Sequence, residues 1–87
     1  MNFEFDETKS SSNKAKHGID FIAAQALWDD ALRIETPALS ADEPRRQVVG
    51  KIGDKVWSAF ITQRNENIRI ISVRRARENE EDKYYGR

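Results

Sequence analysis

The second half of the chain is organised by stretches rich in Val, Ile, Trp and Phe, with charged or hydroxylated residues set between them. Residues 46–52, 55–64 and 68–74 read as half-buried strands on that pattern. Gly53-Asp54 joins the first two as a two-residue hairpin loop with glycine first, as a type II′ turn requires. Asn65-Glu66-Asn67 is expected to be a three-residue loop between the second and third. From 75 or 76 to Tyr85 the composition is helical, and Gly86 ends it.

The first half is less regular. Phe3-Glu4-Phe5 alternates like a short strand, and Asp6 is placed to cap a helix running to about His17. Lys14, Lys16 and His17 supply positive charge at its last turn, and Gly18 suits the left-handed residue that follows a helix. Asp20 is a second cap, for a helix with Phe21, Ala24, Leu27 and Trp28 on one face, ending at Asp29-Asp30. Residues 32–35 fit a brief strand or irregular chain, and 36–44, with Pro37 and Pro44, a loop. The expected fold is α+β: a small antiparallel sheet with two N-terminal helices packed on one face, and a C-terminal helix. At 87 residues the chain is expected to form a single domain.

Hairpin register separates two sheet faces. Pairing Gly50 with Trp57, Ala59 with Val73 and Ile61 with Ile71 gathers Val48, Ile52, Trp57, Ala59, Ile61, Ile71 and Val73 into a core. The opposite face then holds Arg45, Gln47, Val49, Lys51, Val56, Ser58, Phe60, Thr62, Arg64, Ile70, Ser72 and Arg74. Arg69 and Arg75 fall on core-face parity at strand ends and are expected to snorkel to solvent. The open face combines cations with hydroxyls and one aromatic, too polar for a second core. It suits a phosphate with a base nearby, or an acidic partner protein.

Charge sharpens this. The chain has zero formal net charge, yet residues 45–77 hold nine Lys/Arg against two acids, a local +7 between flanks of −5 and −2. Arginines mounted on strands match planar oxyanions. There is no cysteine and one histidine, which leaves no disulfide, no thiol nucleophile and no recognisable metal site; no cofactor is expected. No apolar run approaches a membrane span, and a cytoplasmic location is the expectation.

Phe3-Glu4-Phe5-Asp6-x-x-Lys9, Asn13-x-x-Lys16-His17-Gly18-Ile19-x-Phe21, Thr62-x-Arg64 and the run Arg69-Ile70-Ile71-Ser72-Val73-Arg74-Arg75-Ala76 resemble the BrnT toxins of bacterial type II toxin–antitoxin pairs. Arg45, five residues before Gly50, and Glu80 and Tyr84 continue the likeness. Phe5 stands where the family usually has Trp, and Val73 where it usually has Ala. The resemblance implies a RelE-like fold and a ribonuclease that blocks translation. It also implies a BrnA antitoxin with a ribbon-helix-helix fold, a two-plus-two complex that represses its own operon, and operator DNA bound only through the antitoxin.

RNA cleaves itself when its 2′-OH is deprotonated, the phosphorane charge is stabilised and the leaving 5′-oxygen is protonated. Arginines can supply the middle requirement without a metal. Arg64 and Arg74 are the first candidates, since they match the family pattern and point to the open face; Arg45 follows. Tyr84 is a candidate proton donor or base-stacking group, or a half-buried core tyrosine. Glu80, one turn earlier, is either the base or the partner of an arginine. Lys51, Lys16, Lys14 and His17 are candidate RNA contacts, with His17 also explained by its place at a helix end. The competing reading is a non-catalytic or degenerate module whose basic face only binds a protein or RNA. A DNA-binding repressor is disfavoured because no helix carries a basic recognition face.

Overall fold

The computed structural model describes residues 2–40 and 42–86, in which five strands form one sheet. They are β1 (Asn2–Glu4), β2 (Ile34–Ala38), β3 (Arg45–Ile52), β4 (Lys55–Arg64) and β5 (Asn67–Arg75), in the order β1-β5-β4-β3-β2. The α+β class holds, but the sheet is mixed rather than antiparallel, because β1 pairs in parallel with β5. β2 runs through Pro37, where a loop was expected. Its position at the sheet edge allows this, since a proline lacking an N–H is tolerated on an edge strand.

The expectation of two N-terminal helices packed on one sheet face is also overturned. α1 (Glu7–His17) begins and ends as its sequence requires: Asp6 Oδ1 accepts the Lys9 N–H at 3.0 Å, and Gly18 adopts φ 83°. Its buried residues, however, are the polar Ser10 and Asn13. Asn13 donates to Val73 O at 2.9 Å and accepts from Val73 N at 3.2 Å, so one side-chain amide acts as a strand partner for β5 beyond the end of β1. The same amide donates to Ile19 O, and Ser10 Oγ accepts the Phe21 N–H. The helix is thus docked through hydrogen bonds along β5, not through an apolar face.

The second helix is a 3₁₀ helix, Ala23–Asp29. Asp20 does cap this segment, accepting the Ala23 N–H at 2.8 Å. The spacing explains the geometry: Phe21, Ala24 and Leu27 recur every third residue and are all buried, and side chains three apart eclipse in a three-residue turn. Leu27 packs on Gly50 of β3, where an added Cβ would lie 3.1 Å from Leu27 Cδ2 and 3.3 Å from Arg33 Cβ. Gly50 therefore sets how closely this segment approaches the sheet.

The β3–β4 hairpin has the expected register, with Gly50 opposite Trp57 and Val48 opposite Ala59. In the β4–β5 hairpin Ala59 faces Val73 as expected, but Ile61 faces Ile70 and Arg64 faces Asn67. The turn is two residues, Asn65-Glu66, with Asn65 at φ 55°, a conformation asparagine tolerates. Between the Phe60–Ser72 and Ile61–Ile70 pairs, Ile71 is left over as a bulge. Ile70, not Ile71, therefore joins Ile61, Trp57, Val48, Ala59 and Val73 in the main core with Ile19, Phe21, Ala24 and Leu27. Phe3 and Trp28, whose ring centroids lie 4.9 Å apart, pack at its margin.

Two truncations test this picture by urea denaturation. Trp57→Ala should cost about 3–5 kcal/mol as a core deletion. Asn13→Ala should cost about 2–3 kcal/mol although it removes no apolar surface, because the Val73 N–H and C=O lose their partner. A near-neutral Asn13→Ala would mean that α1 is held some other way.

Candidate nucleic-acid interface

On the face opposite the main core, α2 (Glu78–Tyr85) crosses the sheet. Part of this face is apolar after all: Tyr84 packs on Val49 and Val56, with Ile34 and Ala76 at the edge, as a small second core. The polar remainder is built around Glu80, whose side chain is 14% exposed. Its carboxylate accepts from Arg74 Nη1 at 2.8 Å and Nη2 at 2.9 Å, from Gln47 Nε2 at 2.6 Å and from Ser58 Oγ at 3.0 Å. The Arg77 N–H adds a fifth bond at 2.8 Å, so the same carboxylate caps its own helix. The paired Arg74 guanidinium, with help from the other donors, holds Glu80 down at about 2 against an ordinary value of 4.5. Arg74 is shifted upward by the same pairing.

Of the two roles open to Glu80 in the sequence, the geometry favours the arginine partner. A carboxylate saturated by five donors is a poor proton acceptor near neutral pH. Arg74 in turn is not a free surface cation. The fork is bidentate, Nη1 also donates to Arg75 O at 3.2 Å, and the guanidinium lies 5.3 Å from the centre of the Phe60 ring.

Beyond Phe60 the same face carries Thr62 and Arg64 on β4 and Arg45 on β3, two residues before Gln47. Thr62 is buried, and its hydroxyl donates to Pro44 O at 2.8 Å. Arg64 is exposed and makes a long contact to Glu43, at 3.9 Å. Arg45 Nε is buried without a hydrogen-bond partner among the described residues. Arg69 also belongs here, contrary to its expected core-side parity. The bulge at Ile71 pairs it with Thr62 and so turns it to the arginine face, where it bonds Glu4 at 2.9 Å. Glu4 is lowered by its bonds to Asn67 and Arg69 and by the nearby charge of Arg64. Arg75 keeps core-side parity and reaches solvent over Trp57, at 5.6 Å from the ring centre.

The remaining sequence candidates lie elsewhere. The Tyr84 hydroxyl donates to Asp30 Oδ2 at 2.5 Å, and Asp30 also accepts the N–H groups of Lys51 and Leu32. Tyr84 thus fastens α2 to the 3₁₀ segment and β3, at the end of the helix away from Arg74. Lys51 sits at that end as well, 5.4 Å from the Tyr85 ring centre. Together with Asp29, Asp30, Gly53 and Tyr84 it lines a shallow cleft of about 390 Å³. Lys14, Lys16 and His17 end α1, docked along β5, and among the described residues no hydrogen bond or ion pair joins their side chains to the arginine face. From the sequence Asp30 is only a helix end, and Gln47 and Ser58 only members of the open face. Their common role as fixings for α2 has no local sequence signal. Among the described residues no three His, Asp or Glu side chains gather as a metal-binding group.

Around Phe60 the face combines one fixed arginine fork with three further arginines, a composition that suits a polyanion. The family model described as "Ribonuclease toxin, BrnT, of type II toxin-antitoxin system" matches residues 5–80. The chain belongs to this family of ribonuclease toxins, with an antitoxin as partner and RNA as substrate. A search among curated proteins finds no match.

The Glu80 pairing makes stability sensitive to acid. A carboxyl whose folded value is depressed contributes stability that is complete above the unfolded value, near 4.5, and lost as pH falls toward about 2. Urea midpoints should fall steeply across that window in the wild type, and the slope should flatten in Glu80→Gln. Arg74→Ala should destabilise at pH 7 by about 1–3 kcal/mol, since it strips a buried carboxylate of its main partner. An Arg74→Ala protein as stable as wild type would remove Glu80 from this role.

Proposed function

We propose that this protein is a metal-independent endoribonuclease that arrests translation, acting through the arginine face beside α2. The observation that carries the reading is the Arg74 fork, held by Glu80 on a sheet face that also bears Arg64 and Arg45. In the proposed reaction the 2′-oxygen of RNA attacks the adjacent phosphorus. The P–O2′ bond forms as the P–O5′ bond breaks, one proton leaves the 2′-oxygen and one joins the 5′-oxygen. Arg64 neutralises the charge that grows on the equatorial oxygens, a role a cation would otherwise fill, while Arg74, which lies further along the sheet opposite Ser58, holds an adjoining phosphate of the strand. Arg45, on β3 beside this stretch, adds its positive charge to the same site, with its Nε buried.

Glu80 serves as the positioning group for Arg74 rather than as the base. With the Tyr84 hydroxyl committed to Asp30, the proton transfers pass through water. Lys51, Lys14, Lys16 and His17 contribute, at most, distant attraction for the RNA backbone, which salt screens. The partner is a BrnA-like ribbon-helix-helix antitoxin in a two-plus-two complex, which covers the basic face and alone contacts operator DNA. RNA and ribosomes place the site of action in the cytoplasm. Among the described residues no helix is long and apolar enough to cross a membrane.

Purified toxin incubated with RNA in excess EDTA should still cut it, leaving a 2′,3′-cyclic phosphate and a 5′-hydroxyl. A substrate with hydrogen in place of the 2′-hydroxyl at the cut site should survive. Cleavage that stops on chelation, or that tolerates loss of the 2′-hydroxyl, would contradict the mechanism. Arg64→Ala should lower cleavage by about 10²-fold, on the scale of removing one transition-state donor. Its stability should change by less than about 0.5 kcal/mol, because the side chain is solvent-exposed. Binding of RNA without any cleavage would return the non-catalytic module.

A further inference from the structure

Phe60 occupies the middle of β4, opposite Gln47 and Ser72, and is only half-buried. It belongs to neither hydrophobic cluster: the main core lies on the other side of the sheet, and the patch under Tyr84 is built on Val49 and Val56. Among the described residues, its ring meets the Arg74 guanidinium. An aromatic that buries itself in no core, at the centre of a face otherwise made of arginines, hydroxyls and amides, calls for a ligand with a flat apolar surface and negative charge.

The arginines around it fix the shape of that ligand. Arg74 lies at one end of β5 and Arg69 five residues back. At about 3.3 Å per residue the two are on the order of 13–16 Å apart along the strand, more than one phosphate spans. Arg69 is on this side only because of the bulge at Ile71, a device that re-aims side chains. Arg64 and Arg45 flank the same stretch, and among the described residues the buried Nε of Arg45 has no hydrogen-bond partner. The face therefore offers a stacking surface with cationic contacts on both sides.

We propose that Phe60 is a platform on which one unpaired base of single-stranded RNA stacks, with Arg74 and the Arg45–Arg64–Arg69 group taking the flanking phosphates. The inference rests on the ribonuclease reading of this face and adds the strandedness of the substrate and a residue that selects it. A duplex hides its base faces in the stack and presents only edges and backbone, whereas a splayed single strand exposes a π-face to an aromatic. Charge alone would not distinguish the two; Phe60 does.

The test uses a 2′-O-methyl oligoribonucleotide carrying one 2-aminopurine. This probe cannot be cut through a 2′-hydroxyl, and its fluorescence reports stacking. Wild type should bind the single strand with a change in 2-aminopurine emission, and bind the same oligonucleotide in a duplex at least about tenfold more weakly. Phe60→Leu should lose about tenfold in affinity together with the emission change, while Phe60→Tyr keeps both. Urea midpoints near wild type would certify folding, as expected for a residue outside both clusters. Equal binding by Phe60→Leu, equal affinity for the duplex, or displacement of the probe by polyglutamate at the same charge concentration would overturn the platform. Failure of the two readings is distinguishable. Phe60-dependent stacking in a protein that leaves ordinary RNA uncut would sink the ribonuclease reading alone, and cleavage by a protein indifferent to Phe60 would sink the platform alone.

Discussion

The carboxylate of Glu80 ties three strands and a helix together. It takes two bonds from β5 through Arg74, one from β3 through Gln47, one from β4 through Ser58 and one from its own helix start. Removing a charge from water is costly, and a buried ion pair is often no net gain in stability. Five donors offset that cost here, and what the arrangement secures is position. The short α2, only eight residues long, cannot hold itself in place by helix propensity. It is fixed at one end by Glu80 and at the other by the Tyr84 hydroxyl on Asp30, with Val49 and Val56 beneath.

That anchoring divides the sheet face into two halves with different work. The half under Tyr84 is structural, and Lys51 and the Asp29–Asp30 corner belong to it. The half running from Arg74 past Phe60 to Arg64, Arg45 and Arg69 is the one we propose receives the polyanion. Zero net charge is no obstacle to binding RNA on such a surface. The compensating acids lie mostly in the flanking segments, and several, such as Glu80 and Glu4, serve as fixings for arginines. An arginine held by a carboxylate keeps its charge and gives up its rotamers, which lowers the entropy lost when a phosphate arrives.

Much of this was legible in the sequence where the signal is local. The cap at Asp6, the left-handed Gly18, the Gly53 turn and the β3–β4 register follow from neighbouring residues. The family pattern reached Arg64, Arg74 and Glu80, and the ambiguity over Glu80 is resolved only by the cross-strand donors. What the sequence could not show are contacts between distant segments. Asn13 reads as an ordinary polar helix residue, yet it completes the edge of β5 sixty residues away. The bulge at Ile71 interrupts a run of apolar residues in which either Ile70 or Ile71 is an acceptable core side chain, so alternation alone does not find it. Its consequence, Arg69 on the arginine face, was lost with it. Only the start of β2 was legible, within the possible brief strand at 32–35; Pro37 argues against its continuation unless the edge position is already known.

The most direct measurement is a ¹³C NMR titration of the Glu80 side-chain carboxyl in the folded toxin. The midpoint should lie at about 2, far below the ordinary carboxylate value, because Arg74 and the other donors hold the charged form. A midpoint at or above 4.5 would contradict this: the carboxylate would then be free of Arg74 and available as a base, and the arginine face would lack the fixed point on which its geometry depends.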